Sequence, residues 1–342
     1  MARSLIVLAG LMLVTVFRAS GAEDYDFDWV TIGAVGNEPY LGDSPFGPDY
    51  AYGRGGVDYE YRIGRTEVTT GQWLEFVNTF STQSDDMKTF ARPFFWGAET
   101  DPTYDGPGRR YRLRGNVASP ELLPVGGISW REAAMFCNWL HNGKSSALSA
   151  LEYGAYDAST WGDDGRWFTD DPTHLPGARF WIPTLDEALK AMNYDPDRYG
   201  EGQGGWWLYP NMSDEPPIPG VPGEGTTNAG LHLPSWGEWD IPLGAYSDLV
   251  SPWGLLDTTG GSREWTEEIV PPGEKAERAI VGAAAGDDNY VVHDHVSSLQ
   301  SLYPGTGTTD AGLRIATAVP APGVLAITVC LGVLPLSRSR RR

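Results

Sequence analysis

The stretch SPWGLLDTTGGSREWTEE, residues 251–268, sets Gly260, Gly261 and Ser262 between two carboxylates, Asp257 and Glu264, and flanks them with Trp253 and Trp265. A hard cation needs several oxygens in a compact ring, and a short loop collects them by mixing carboxylates with backbone carbonyls. Asp257 and Glu264 offer the carboxylates. The glycine-rich backbone can turn the carbonyls of Gly260 and Ser262 inward. The stretch therefore reads as a candidate loop for a hard cation. The plainer alternative is a glycine turn between packed tryptophans, capped by Asp257.

Working outward, three segments share one design. TTGQWLEFVNTF (69–80), SWREAAMFCNWLHNG (129–143) and TLDEALKAMNY (184–194) each open on a hydroxyl residue with Gln72, Glu132 or Glu187 three positions on. This is the capping box, in which the hydroxyl accepts from a free backbone N–H and the acid or amide reaches back. Apolar stripes with helical spacing follow: Trp73, Phe76, Val77, Phe80; Ala133, Phe136, Cys137, Leu140; and Leu185, Ala188, Leu189, Met192. Gly143 suits the position after the second helix. Cys137 lies on a buried stripe and reads as packing. Strands are expected in YEYRIGRTEV, ARFWIP, RAIVGAA and AGLRIATA. With 43 glycines and 26 prolines, much of the remainder is expected to be loop.

The ends carry addresses. MARSLIVLAGLMLVTVFRASGA, residues 1–22, has the charged, apolar and small-residue order of a secretory signal peptide; the alternative is an uncleaved anchor. Residues 318–342 join a Val-Pro-Ala-Pro element to an apolar run and four arginines, which suits a stop at a membrane. Residues 23–317 remain as one elaborated domain. The trimmed ends hold six arginines and no acid, so 19 basic residues face 45 acidic ones and the trimmed charge is −26. Such a surface repels phosphate, which excludes a nucleic-acid partner. Cys330 lies in the tail, so Cys137 has no disulfide partner in the domain.

Five ordered blocks resemble the formylglycine-generating enzyme, or sulfatase-modifying factor, family. YRIGRTEVTTGQWLEFVN, LPVGGISWREAAMFCNWL and ARFWIPTLDEALKAM are similar to its three helix segments. SPWGLLDTTGGSREWTEE resembles its Gly-Leu-Tyr-Asp…Gly-Asn-Val-Trp-Glu-Trp signature, and DAGLRIA its closing Gly-Phe-Arg segment. WWLYPNMSDEPP resembles a branch common in PEP-CTERM-tailed proteins, and the C-terminal segment resembles that sorting signal. The resemblance implies an α+β, C-type-lectin-like fold with few helices and much loop. It implies structural calcium at Asp257, Gly260, Ser262 and Glu264, and a second calcium site beginning at Asn228 with the carbonyl of Ala229. Gly261 and Arg263 stand where the family prefers Asn and Trp.

The family's oxidase chemistry rests on two cysteines that bind copper(I). The matching stretch, AIVGAAAGDDNYVVHDHVSSLQS (279–301), has none. Soft thiolates are what copper(I) requires, which argues against copper and against formylglycine formation. His293 and His295 are an alternative metal pair: on a strand they would share a face, with Asp287 or Asp288 as a further ligand. Two function classes follow. The first is an exported, calcium-stabilised binding or structural module at the cell surface, in extracellular matrix, or anchored through its tail. Its partners would be the sorting machinery and membrane at the tail, and a glycan or surface protein at its Trp-rich loops. The second is an oxidoreductase of the wider family with a non-cysteine metal site.

Overall fold

Each expected capping box is present. Thr69, Ser129 and Thr184 accept from the backbone N–H three residues on, and the Gln72, Glu132 and Glu187 side chains accept from the cap N–H. The computed structural model describes residues 25–46, 50–270, 277–308 and 310–320. The signal peptide read at 1–22 and residues 321–342 of the sorting tail lie outside the described residues; the tail expected from 318 begins inside the fold, since Ala318 ends the last strand and pairs with Tyr61. In chain order the elements are β1 (Trp29–Ile32), β2 (Tyr61–Gly64), α1 (Thr70–Ser81), β3 (Ala98–Thr100), β4 (Tyr111–Leu113), α2 (Trp130–His141), α3 (Ser149–Glu152), β5 (Phe180–Trp181), α4 (Leu185–Asn193), β6 (Tyr194–Asp195), β7 (Gly205–Trp206), β8 (Arg263–Val270), β9 (Glu277–Val281), α5 (Tyr290–His293), β10 (Gln300–Leu302), β11 (Ala311–Gly312) and β12 (Ala316–Ala318). Among the described residues no helix is long and apolar enough to cross a membrane.

Two four-stranded sheets organise the domain. The first has the order β1-β2-β12-β5 and is antiparallel throughout, so the last strand is inserted between two early ones. The second has the order β10-β9-β8-β11, with β11 parallel to β8. β3–β4 and β6–β7 are separate hairpins. Much of the chain between these elements is loop, an α+β arrangement with short strands.

The stripes of α1 and α2 face one another. Trp73 and Phe76 lie 5.0 and 5.3 Å, centroid to centroid, from Phe136, and Phe76 lies 5.4 Å from Trp139. Burying one such ring contributes about 1.5–3 kcal/mol. Favourable aromatic pairing adds about 0.5–1.5 kcal/mol. Cys137 is fully buried in the same layer, and burial pushes its thiol well above the usual range. That is the packing role expected of it. Gly143 takes a left-handed φ of +69° after α2, as the C′ position requires.

The longest strand, β8, begins inside the stretch quoted at the outset and has no alternating apolar signature. Its buried positions include Glu264, Thr266 and Glu267. Each is satisfied internally. Glu267 accepts from the Tyr156 hydroxyl at 2.6 Å and from the His174 backbone N–H at 2.8 Å. Thr266 donates to the Ala279 carbonyl, and its own carbonyl accepts from the Trp130 indole. Arg278, stacked 3.6 Å over Trp130, donates to the Glu267 carbonyl at 2.7 Å.

Candidate functional site

Between Asp257 and Ser262 the chain doubles back. Asp257, Gly260 and Gly261 have φ of +53°, +81° and +62°. The two glycines answer to space as well as to φ. A Cβ on Gly260 would lie 2.0 Å from Asn228 Oδ1, and one on Gly261 would lie 2.4 Å from Glu67 Oε1. Those neighbours clamp the loop. Asn228 Oδ1 accepts from the Gly261 N–H at 2.9 Å, and its Nδ2 donates to the Glu238 carbonyl at 2.9 Å. Glu67 accepts from the Ser262 N–H at 3.0 and 3.1 Å and from its hydroxyl at 2.9 Å. Asn228, expected to open a second cation site, thus belongs to the same network as Asp257, Gly260, Ser262 and Glu264.

Arg314 is the hub. Fully buried, it donates Nε and Nη2 to Glu264 at 2.8–3.1 Å. Its remaining donors reach the carbonyls of Gly64 (2.9 Å), Arg65 (2.7 Å), Leu256 (3.0 Å) and Asp257 (3.3 Å). One guanidinium therefore pairs with Glu264 and acts through charge on the carboxyls of buried Glu67 and half-buried Asp257. Burial raises Asp257 to about 6, against the Gly244 N–H and Arg314, which favour its ionised form; Glu264 adds to the rise. Burial, then the Glu264 charge, hold Glu67 well above its usual range. If all three ionise, two negative charges are uncompensated, which suits the charge of a divalent cation. Asp257 Oδ2 already accepts from the Gly244 N–H at 2.7 Å, and both Glu264 oxygens face Arg314. A carboxylate has about four lone-pair sites, so these bonds leave acceptor capacity. Among the described residues no group of three or more His, Cys, Asp or Glu is arranged to hold a metal. A cation in this loop would therefore draw on backbone carbonyls as well.

The strand expected around His293 and His295 is instead the short helix α5 and the turn after it. The shared-face argument does not hold there. His293 Nδ1 lies 2.6 Å from Asp287 Oδ2, and His295 Nδ1 lies 2.8 Å from the Ser297 hydroxyl. Asp288 pairs separately with the exposed His232 at 2.8 Å. Asp294 and His295 are both buried, whereas His293 is only partly so. Asp294 accepts from the Ala283 N–H at 2.8 Å and from the Thr259 hydroxyl, tying this segment to the quoted loop. Arg263, in the family's Trp position, pairs with Asp287 at 2.8 Å and Asp310 at 3.4 Å. Periodicity carried no signal for Glu67, Arg314 or Asp294. The one cue was for Arg314, which falls in the DAGLRIA segment that resembles the family's closing Gly-Phe-Arg.

Burial raises Asp294 to about 7, against the bonds from Thr259 and Ala283. A carboxyl that ionises later in the fold than in the open chain stabilises the fold at acid pH. That contribution is complete below about pH 4 and is lost as pH rises to about 7. Asp294→Asn keeps an acceptor for Ala283 and a polar partner for Thr259 without the charge. It is expected to exceed wild type in stability by on the order of 2–4 kcal/mol at pH 8, with little difference at pH 4. Urea titrations at the two pH values check this; identical pH dependence in both proteins would contradict it.

The sulfatase-modifying factor enzyme 1-like domain model matches residues 56–319. The chain belongs to this family. The domain has the C-type-lectin-like fold of that family. Treponema denticola variable protein 1 is 16% identical, with 86% of this chain and 95% of that one covered and a TM-score of 0.50. CarF is 20% identical over 86% of this chain and 99% of its own, at a TM-score of 0.49. PvdO from Pseudomonas aeruginosa is 14% identical over 86% and 92%, at 0.40. No curated protein matches the sequence. Within this family domain, residues 279–301 hold no cysteine, and their Asp287 pairs with His293 and with Arg263 of β8.

Proposed function

We propose that the protein is an exported binding or structural module, built on the family's domain, ordered by calcium and without the copper–cysteine oxidase site. The observation that carries this reading is the absence of cysteine from residues 279–316, where the family's reaction requires thiolates. The polar side chains there engage one another: Asp287 with Arg263 and His293, and Asp294 with Thr259 and Ala283. The N-terminal signal pattern supports export. The tail pattern supports sorting or membrane attachment through dedicated machinery, with a glycan or surface protein as partner of the domain itself. The test is incubation with a cysteine-containing sulfatase-type peptide, copper and a reductant, followed by mass spectrometry. No aldehyde is expected above the level of a protein-free control. A robust aldehyde yield would overturn the reading.

Calcium would be held by Asp257 and Glu264 with the carbonyls of Gly260 and Ser262. The convergence of the Glu67, Asp257 and Glu264 carboxyls near one guanidinium supports this assignment. A cation that binds only the folded state stabilises it by about 2.7 kcal/mol at a hundredfold excess over its dissociation constant. Chelation is expected to lower Tm, and Asp257→Ala to remove most of that response. Magnesium is expected to rescue poorly, since it demands a tighter octahedron and retains its waters. A wild-type melting curve unchanged across millimolar calcium would contradict the assignment.

A further inference from the structure

Two large exposed side chains both touch Phe95. Phe94 and Trp236 are each 65% exposed. Phe95 touches both, with ring centroids 4.8 Å from Phe94 and 5.8 Å from Trp236. It is anchored beneath by stacking on the buried Trp239, 4.3 Å away and 13° from parallel, which packs with Ala284 and Ala285. The backbone of Phe95 exchanges two 2.9 Å hydrogen bonds with Gly126. The ridge therefore stands on a fixed base. Its outer ring is held at a cost. Ser235 and Trp236 both adopt left-handed backbone, with φ of 60° and 61°. Such conformations cost about 1–3 kcal/mol each and concentrate at ligand-binding positions.

Beside Phe94 lies an open cleft of about 480 Å³, lined by Arg92, Pro93, Phe94, Gly127, Gly307 and Thr308. Its glycines let the three segments meet. A Cβ on Gly127 would lie 2.4 Å from the Phe94 Cβ, and one on Gly307 would lie 2.7 Å from the Gly127 carbonyl. Arg92 is exposed at the edge. Nine other arginines of this acidic chain sit on carboxylates; Arg92, like Arg109, Arg166, Arg179 and Arg278, has no ion pair among the described residues. With 45 acidic side chains available, a cation left open beside exposed aromatic faces favours an anionic ligand that also has an apolar face.

We propose that the Phe94–Trp236 ridge and the Arg92 cleft form a binding site for an acidic oligosaccharide. The rings receive the C–H faces of successive sugar residues, and Arg92 receives a carboxylate or sulfate. This inference rests on the reading of the protein as a binding module and gives that module its ligand class.

Calorimetric titration of the full protein with oligogalacturonate, a carrageenan oligomer and cellohexaose tests it. Oligogalacturonate or the sulfated oligomer is expected to bind, and the neutral oligomer to bind about tenfold more weakly or not at all. Phe94→Ala and Trp236→Ala are each expected to weaken binding about tenfold or more, with Tm held, since both side chains face solvent. Arg92→Ala is expected to erase the preference for the acidic oligomer, and Arg92→Lys to restore part of it. Three results would overturn the site: no binding of either acidic oligomer, equal binding of cellohexaose with Arg92→Ala silent, or binding indifferent to both aromatic substitutions. The last would leave the module reading intact. Aldehyde formation on a cysteine peptide would defeat that reading without touching the ridge.

Discussion

Arg314→Met is expected to destabilise the protein by on the order of 3–5 kcal/mol, the usual cost of removing one partner from a buried ion pair. The loss is large because Arg314 is more than a counter-ion. Its guanidinium neutralises Glu264 and satisfies carbonyls of Gly64, Arg65, Leu256 and Asp257, so it joins the end of β2 to the quoted loop and to β8. Methionine fills much of the volume but leaves Glu264 charged and buried, with Glu67 and Asp257 nearby. Adding Glu264→Gln to Arg314→Met is expected to recover part of the loss, because the orphaned charge is then gone. Urea unfolding of the two single variants and the double variant gives the coupling directly. A loss under about 1 kcal/mol for Arg314→Met would mean that the pair is not the hub described.

Gly260→Ala is expected to cost more than 3 kcal/mol, in the range reserved for buried clashes and strained backbone. The added methyl would meet Asn228 Oδ1 at 2.0 Å, Thr227 Oγ1 at 2.8 Å and the Ala229 nitrogen at 3.2 Å, all in a buried network. Gly165→Ala is the control. Gly165 also has a left-handed φ, +91°, but a Cβ there would meet nothing within 4 Å. It is expected to lose only the conformational term, about 1–2 kcal/mol. Thermal and urea unfolding of the two variants separate backbone strain from the close approach of Asn228. Equal losses would show that the clamp on the loop yields easily.

The same contrast explains what could be read in the chain before its fold. The helices were legible because two independent signals coincide in each: a hydroxyl with an acid or amide three residues on, and a stripe such as Trp73, Phe76, Val77 and Phe80. β8 was not, because its inward positions carry Glu264 and Glu267, which are tolerable only through Arg314, Tyr156 and His174 elsewhere in the chain. For the quoted loop, the glycines pointed to a tight turn, but the clamp by Glu67 and Asn228 comes from residues 195 and 33 positions away. His293 and His295 drew attention as a pair. Helix α5 and the turn after it give them different partners and bury Asp294 together with His295. Long-range partners of buried charges leave no periodic trace in a single sequence.

We propose a family domain that lacks the copper–thiolate site and is ordered by calcium. Elemental analysis of the purified protein, equilibrated with calcium and trace copper and iron and then desalted, tests that claim most directly. The account predicts calcium bound in stoichiometric amount, lost in Asp257→Ala, with copper and iron near background. Stoichiometric copper or iron, retained by wild type and lost in His293→Ala, with no bound calcium, would contradict it.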